Sequence, residues 1–161
     1  MPEIVVIAHN IRSTHNVGSV FRTCEGFGVS KLILSGYTPY PKHASDARLP
    51  HIFNKLTDQI HKTALGAETL VSFEYQSEPN LEALKNQGYE IVGLEQDKRS
   101  VMLPKFTTPE RIVLLLGEEV KGLTGHLRDQ CDYLLEIPMR GKKESFNVSV
   151  ATGIALYALT T

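Results

Sequence analysis

Cysteine is scarce in this 161-residue chain: there are two, Cys24 and Cys131, far apart, with no Cys-x-x-Cys pair and no histidine at metal-ligand spacing. That excludes a disulfide framework and a zinc site of ordinary spacing. The six histidines are scattered too, so no metal is expected. Excess charge of either sign is also missing. Seventeen Lys+Arg stand against 18 Asp+Glu, and the pI is near 6.6. Contact with a polyanion must then come from a local patch rather than a global field. No apolar run is long enough to span a bilayer and no signal-peptide pattern opens the chain, so the expectation is no membrane association and cytoplasmic residence. Two common nucleotide signatures are absent, Gly-x-x-x-x-Gly-Lys-Ser/Thr and a Gly-x-Gly-x-x-Gly turn after the first strand.

What is present is a hydrophobic share of 42% and a charged share of 22%, ordinary for a globular chain long enough to bury a real core. Apolar, β-branched runs predict strands over 3–8, 31–35, 70–73, 90–94, 111–116 and 133–137. Helices are predicted over 16–27, with Asn16 as cap and Gly28 as stop, and over 49–65, 80–86, 125–130 and 147–159. The stretch 101–109, with two prolines, reads as irregular. Strands alternating with helices imply an α/β fold, a mostly parallel sheet with helices on both faces. The closing helix is apolar nearly all round, which requires burial in the core or against a second copy.

Three segments carry polar groups in places where chemistry can occur. In Asn16-Val-Gly-Ser-Val-Phe-Arg22-Thr-Cys24, the apolar positions follow core spacing, leaving Asn16 and Arg22 as polar groups. Taken alone, these two are better accounted for as a helix cap and a solvated arginine. Leu114-Leu-Leu-Gly117-Glu118-Glu119-Val-Lys-Gly122 is a buried strand ending abruptly in two acids. Carboxylates there suit a cationic or hydroxyl-bearing ligand better than phosphate, although Glu119 also suits a helix N-terminus. Ile137-Pro-Met-Arg-Gly-Lys-Lys-Glu-Ser145-Phe-Asn147 is a strand end, a basic glycine loop and a polar cap. Ser145 and Asn147 can hold an anion or cap the helix. Open α/β sheets bind ligands beyond the carboxyl ends of their strands, where all three segments fall.

In this order and spacing, Asn16–Cys24, Leu115–Gly122 and Ile137–Ala151 resemble the three signature motifs of the SPOUT superfamily. The likeness is to its SpoU (TrmH-like) tRNA/rRNA ribose 2′-O-methyltransferases and covers essentially the whole chain. The resemblance implies a SPOUT fold with a C-terminal deep trefoil knot, here a single methyltransferase domain over 1–161 with no appended RNA-binding domain. It implies S-adenosyl-L-methionine as cofactor, S-adenosylhomocysteine as product, and a homodimer. The cofactor slot would be Leu94, Leu116, Gly117, Ile137, Met139 and Phe146, where Phe146 replaces the leucine usual in the motif. The catalytic positions would be Arg22, Asn16, Glu118, Ser145 and Asn147, with Arg22 orienting the target ribose and its adjoining phosphate.

The implied reaction is methyl transfer to a ribose 2′-hydroxyl of structured RNA, tRNA favoured over rRNA. Two alternatives stay open: a non-catalytic RNA-binding or assembly factor of the same fold, and a methyltransferase acting on an RNA base. Candidate RNA contacts are Arg12, His15, Lys42, His43, Arg48 and the loop 140–143.

Overall fold

The computed structural model describes residues 1–161, and its architecture follows from strand burial. Seven strands run β1 (Glu3–His9), β2 (Lys31–Ser35), β3 (Phe73–Gln76), β4 (Glu90–Leu94), β5 (Val101–Met102), β6 (Arg111–Leu116) and β7 (Tyr133–Glu136). Five α-helices intervene: α1 (Thr14–Gly26), α2 (Pro50–Ala64), α3 (Leu81–Asn86), α4 (Gly125–Gln130) and α5 (Val148–Thr160). All strand pairs are parallel, in the order β3-β2-β1-β6-β4-β7-β5. The apolar strands β1 and β6 lie together at the centre, with Ile7 beside Leu115 and Ala8 beside Leu116.

Successive side chains alternate faces, and two cores result. Ile4, Val6, Ala8, Leu32, Leu34, Ile112 and Leu114 pack with Val17, Phe21 and Cys24 of α1, Ile60 of α2 and Leu156 of α5. On the opposite face Val5, Ile7, Ile33, Val113 and Leu115 meet Leu81 and Leu84 of α3 and Leu127 of α4. Both thiols are held protonated by burial, Cys131 pushed up to about 11. No helix is long and apolar enough to cross a membrane.

Several elements differ from the sequence reading. The cap of α1 is Ser13, whose side chain accepts from the Asn16 backbone N–H at 3.1 Å. Asn16 therefore lies inside the helix with its carboxamide available elsewhere. The third strand is Phe73–Gln76, not 70–73, because 67–69 forms a 3₁₀ turn first. An edge strand half open to solvent gives no continuous apolar run. The irregular 101–109 stretch contains the two-residue β5, paired to β7, and a short 3₁₀ turn. Finally, α5 buries Thr152, Ala155, Leu156 and Leu159 but leaves Val150 50% and Tyr157 62% exposed.

Candidate active site

Beyond the carboxyl ends of β4, β6 and β7 the chain forms a crevice of about 300 Å³. Its first wall is the turn after β6. The Gly122 N–H donates to the Glu118 carbonyl at 2.8 Å, closing Gly117–Gly122 into a tight loop. A Cβ on Gly117 would lie 2.6 Å from the Gly122 carbonyl carbon and 2.7 Å from the Leu123 nitrogen. Glycine is therefore required by backbone approach. Glu95, the first residue past β4, holds this loop from outside: its carboxylate accepts from the Leu123 N–H at 2.8 Å. A Cβ on Gly122, which sits at φ +68°, would collide with the same carboxylate.

The second wall is the segment between β7 and α5. The Gln96 side-chain amide donates to the Glu144 carbonyl, tying the β4 end to this segment. Asn147 caps α5, its Oδ1 accepting from Ser149 N–H at 2.9 Å and Val150 N–H at 3.4 Å. Helix α1 lines none of the crevice and is tied to its rim through Asn16. The Asn147 Nδ2 donates to Asn16 Oδ1 at 3.2 Å, and Asn16 Nδ2 donates to Glu119 Oε1 at 3.4 Å. The other oxygen of Glu119 accepts from the Arg12 N–H at 3.5 Å. All three motif segments thus meet in one relay of side chains.

Leu94, Leu116, Gly117, Ile137, Met139 and Phe146 all line the crevice, as do Glu118 and Ser145. Arg22 does not. Six residues along α1 from Asn16, it lies about 9 Å further up the axis and about 120° around it. It is exposed, on the open side of the helix. Neither does Glu118 join the relay. It faces Tyr37, whose phenol is pushed above its ordinary value by partial burial and then by that carboxylate. The acid that bonds Asn16 is Glu119, which sequence reasoning assigned to a helix end. Glu95, Gln96, Val148 and Ala151 also line the space and were not anticipated. Glu95 and Gln96 directly follow a parallel strand's carboxyl end, where open α/β sheets bind ligands, and that signal could have found them.

The donor set fits S-adenosylmethionine. Apolar walls from Leu94, Leu116, Ile137, Met139 and Phe146 suit adenine, and the glycine loop admits close backbone approach. Four carboxylates, Glu95, Glu118, Glu119 and Glu144, line the same space and suit a ligand bearing positive sulfur and ammonium groups. No cluster of three His, Cys, Asp or Glu groups with metal-binding geometry is present.

Comparison with known proteins agrees with this geometry. A tRNA (guanosine(18)-2′-O)-methyltransferase of Aquifex aeolicus is 32% identical over 157 residues, covering 96% of this chain and 67% of its own length. A 23S rRNA (guanosine-2′-O-)-methyltransferase of Pseudomonas putida is 29% identical, covering 97% and 58% respectively. The chain thus spans about three fifths to two thirds of these relatives. The crystal structure of the A. aeolicus TrmH/SpoU tRNA modifying enzyme superposes with a TM-score of 0.79 at 29% identity, over 99% of this chain and 75% of that one. The SpoU methyltransferase AviRb of Streptomyces viridochromogenes, solved with AdoMet, shares the fold with a TM-score of 0.77 at 23% identity, over 99% and 57%. Residues 3–157 match the SpoU rRNA Methylase family from end to end. With its motif segments joined by side-chain hydrogen bonds on a shared fold, the chain belongs to that family.

Proposed function

We propose that this protein transfers a methyl group from S-adenosylmethionine to a ribose 2′-hydroxyl of structured RNA, with tRNA as the preferred substrate. The observation that carries the proposal is that the second and third motif segments line one crevice of mixed apolar and acidic character, to whose rim Asn16 of the first is hydrogen-bonded. When bound, S-adenosylmethionine supplies an electrophilic methyl group on a positively charged sulfur. Leu94, Leu116, Ile137, Met139 and Phe146 hold its apolar part and exclude water, while the backbone around Gly117 reads its edge.

The protein's contribution to the reaction is alignment. The residues around the crevice would hold the ribose hydroxyl facing the donor methyl group, which would leave its sulfur for the oxygen while the hydroxyl proton passed to solvent water. Glu119, Asn16 and Asn147 fix one another, so a ribose placed against them meets groups that need no reorganisation. Arg22 stands outside the crevice wall on the open side of α1. There its proposed role is toward the RNA: a guanidinium resists deprotonation and suits the phosphate beside the target ribose, which it would hold in position.

The protein acts as a homodimer in this reading. Val150 and Tyr157, seven residues apart on α5, are exposed and form one stripe of an otherwise apolar helix that a second copy would cover. The C-terminal segment forms a trefoil knot, a reading supported by β7 lying between β4 and β5 in the sheet.

Calorimetric titration with S-adenosylmethionine tests the proposal. Saturable one-site binding, weakened at least tenfold by Gly117→Ala, supports it. No binding would leave a non-catalytic RNA-binding factor as the better reading.

A further inference from the structure

We propose that the depression between the β1–α1 and β2–α2 loops is a second RNA subsite, in which Tyr37 stacks a base neighbouring the target nucleotide and Arg12 takes its phosphate. This rests on the reading that the crevice acts on RNA. The depression encloses about 620 Å³ and opens beside the relay described above, bounded by Arg12, Thr14, Tyr37, Tyr40 and Gln59 among others.

Its floor is held unusually firmly for a surface loop. Thr38, 2% exposed, donates its hydroxyl to the Ala8 carbonyl at 2.9 Å and accepts from the Ile11 N–H at 2.9 Å. That one side chain ties the Arg12 loop to the Tyr37 loop. The Asn10 carboxamide accepts from the Tyr37 N–H at 3.0 Å, and the Tyr75 hydroxyl donates to the Gly36 carbonyl at 2.6 Å. Tyr40 stacks on Tyr75 with ring centroids 4.3 Å apart. Buried Thr38, with Asn10 and Tyr75, thus fixes the backbone around a residue whose own ring is left 48% exposed. Arg12 and the Glu118 carboxylate meet that ring without covering it, and an aromatic face on a rigid support is what base stacking requires.

The charges differ in the same way. Arg48 on the rim is committed, its guanidinium bonded to Asp46 at 2.6 and 2.9 Å and to the Tyr40 and Pro41 carbonyls at 3.0 and 3.2 Å. Arg12, by contrast, forms no ion pair and lies over the Tyr37 ring at 5.5 Å. Cation and ring together offer a π face and a phosphate partner side by side. The Arg12 N–H donates to Glu119 Oε2 at 3.5 Å, and Glu119 lines the cofactor crevice, so the two sites adjoin there. Next to it, Glu118 adds to burial in pushing up the Tyr37 phenol. Its carboxylate repels phosphate and favours a base edge carrying N–H donors. The nucleotide is therefore oriented with base toward Glu118 and phosphate toward Arg12.

The test measures binding of fluorescently labelled, unmodified tRNA by anisotropy, alongside methylation kinetics, for Tyr37→Ala, Tyr37→Phe, Arg12→Ala and wild type. Tyr37→Ala should weaken RNA binding and raise the RNA KM about tenfold, with kcat and S-adenosylmethionine affinity within about twofold of wild type. Tyr37→Phe should behave as wild type, because it keeps the stacking face. Arg12→Ala should lower the slope of log affinity against log salt by about one. Wild-type RNA affinity and salt slope in both alanine variants would overturn the subsite. A protein that binds tRNA through Tyr37 and Arg12 yet methylates nothing would leave the subsite standing and defeat the methyltransferase reading.

Discussion

Asn147 and Asn16, 131 residues apart in sequence, are joined by an amide–amide hydrogen bond of 3.2 Å. The same Asn147 side chain uses its oxygen to cap α5, so one residue fastens a helix start and aligns the relay. Two substitutions separate these roles. Asn147→Asp keeps the cap, with a carboxylate favourably placed at a helix N-terminus, but removes the donor to Asn16. Thermal stability should stay near wild type while methylation falls at least tenfold. Asn147→Ala should lose the activity and also about 1 kcal/mol of stability, measured by urea unfolding.

Glycine at 117 is a demand of the backbone. Gly117→Ala must displace Gly122 and Leu123, whose atoms would lie 2.6–2.8 Å from the new Cβ. We expect the crevice to deform and S-adenosylmethionine affinity to drop at least tenfold. Gly141→Ala, where a Cβ meets nothing within 4 Å, should bind like wild type and serves as the control.

For Arg22, its place on the open side of α1 predicts a clean split between substrate and cofactor. Arg22→Ala should cut methylation by roughly 10²–10³-fold and leave S-adenosylmethionine affinity within about twofold. Arg22→Lys should recover only part of the rate, since lysine lacks the planar fork. Near-normal turnover by the alanine variant would remove Arg22 from the mechanism.

Much of this fold is legible in the chain wherever burial is continuous. The ranges 31–35, 90–94, 111–116 and 125–130 coincide with the observed elements, because runs such as Arg111-Ile-Val-Leu-Leu-Leu116 have only one way to hide. Phe73–Gln76 is displaced from its predicted place because an edge strand carries polar residues that periodicity cannot distinguish from a loop. The site was legible in its apolar part through the motif resemblance, with which the placing of Leu94, Leu116 and Ile137 at or just past strand ends agrees. Its polar part depends on rotation within single turns. Both Ser13 and Asn16 are plausible caps, and the use of Ser13 is what sends the Asn16 carboxamide to Glu119. Adjacent carboxylates at 118 and 119 point to different neighbours, which no spacing rule resolves. Sheet order, which brings residues 16, 119 and 147 together, is not written in any local pattern.

Asp46 gives the fold an acid-sensitive fastening. The Arg48 guanidinium beside it holds its carboxyl well below the usual aspartate range, with partial desolvation opposing. A depressed folded value means that the stabilisation is present in full above the unfolded pKa of about 3.9 and is lost as pH falls toward the folded value. Asp46→Asn should therefore melt several degrees lower than wild type at pH 7. The gap should narrow below about pH 4, as followed by calorimetric melts from pH 7 to pH 3.

The most direct measurement is nucleoside mass spectrometry of tRNA and rRNA incubated with the protein and S-adenosylmethionine carrying an isotopically labelled methyl group. The label should be found on a ribose, as a 2′-O-methylnucleoside, mainly in tRNA, and should vanish with Arg22→Ala. Label on a base, or no label in either RNA from a protein that binds the cofactor, would contradict methyl transfer to a ribose hydroxyl.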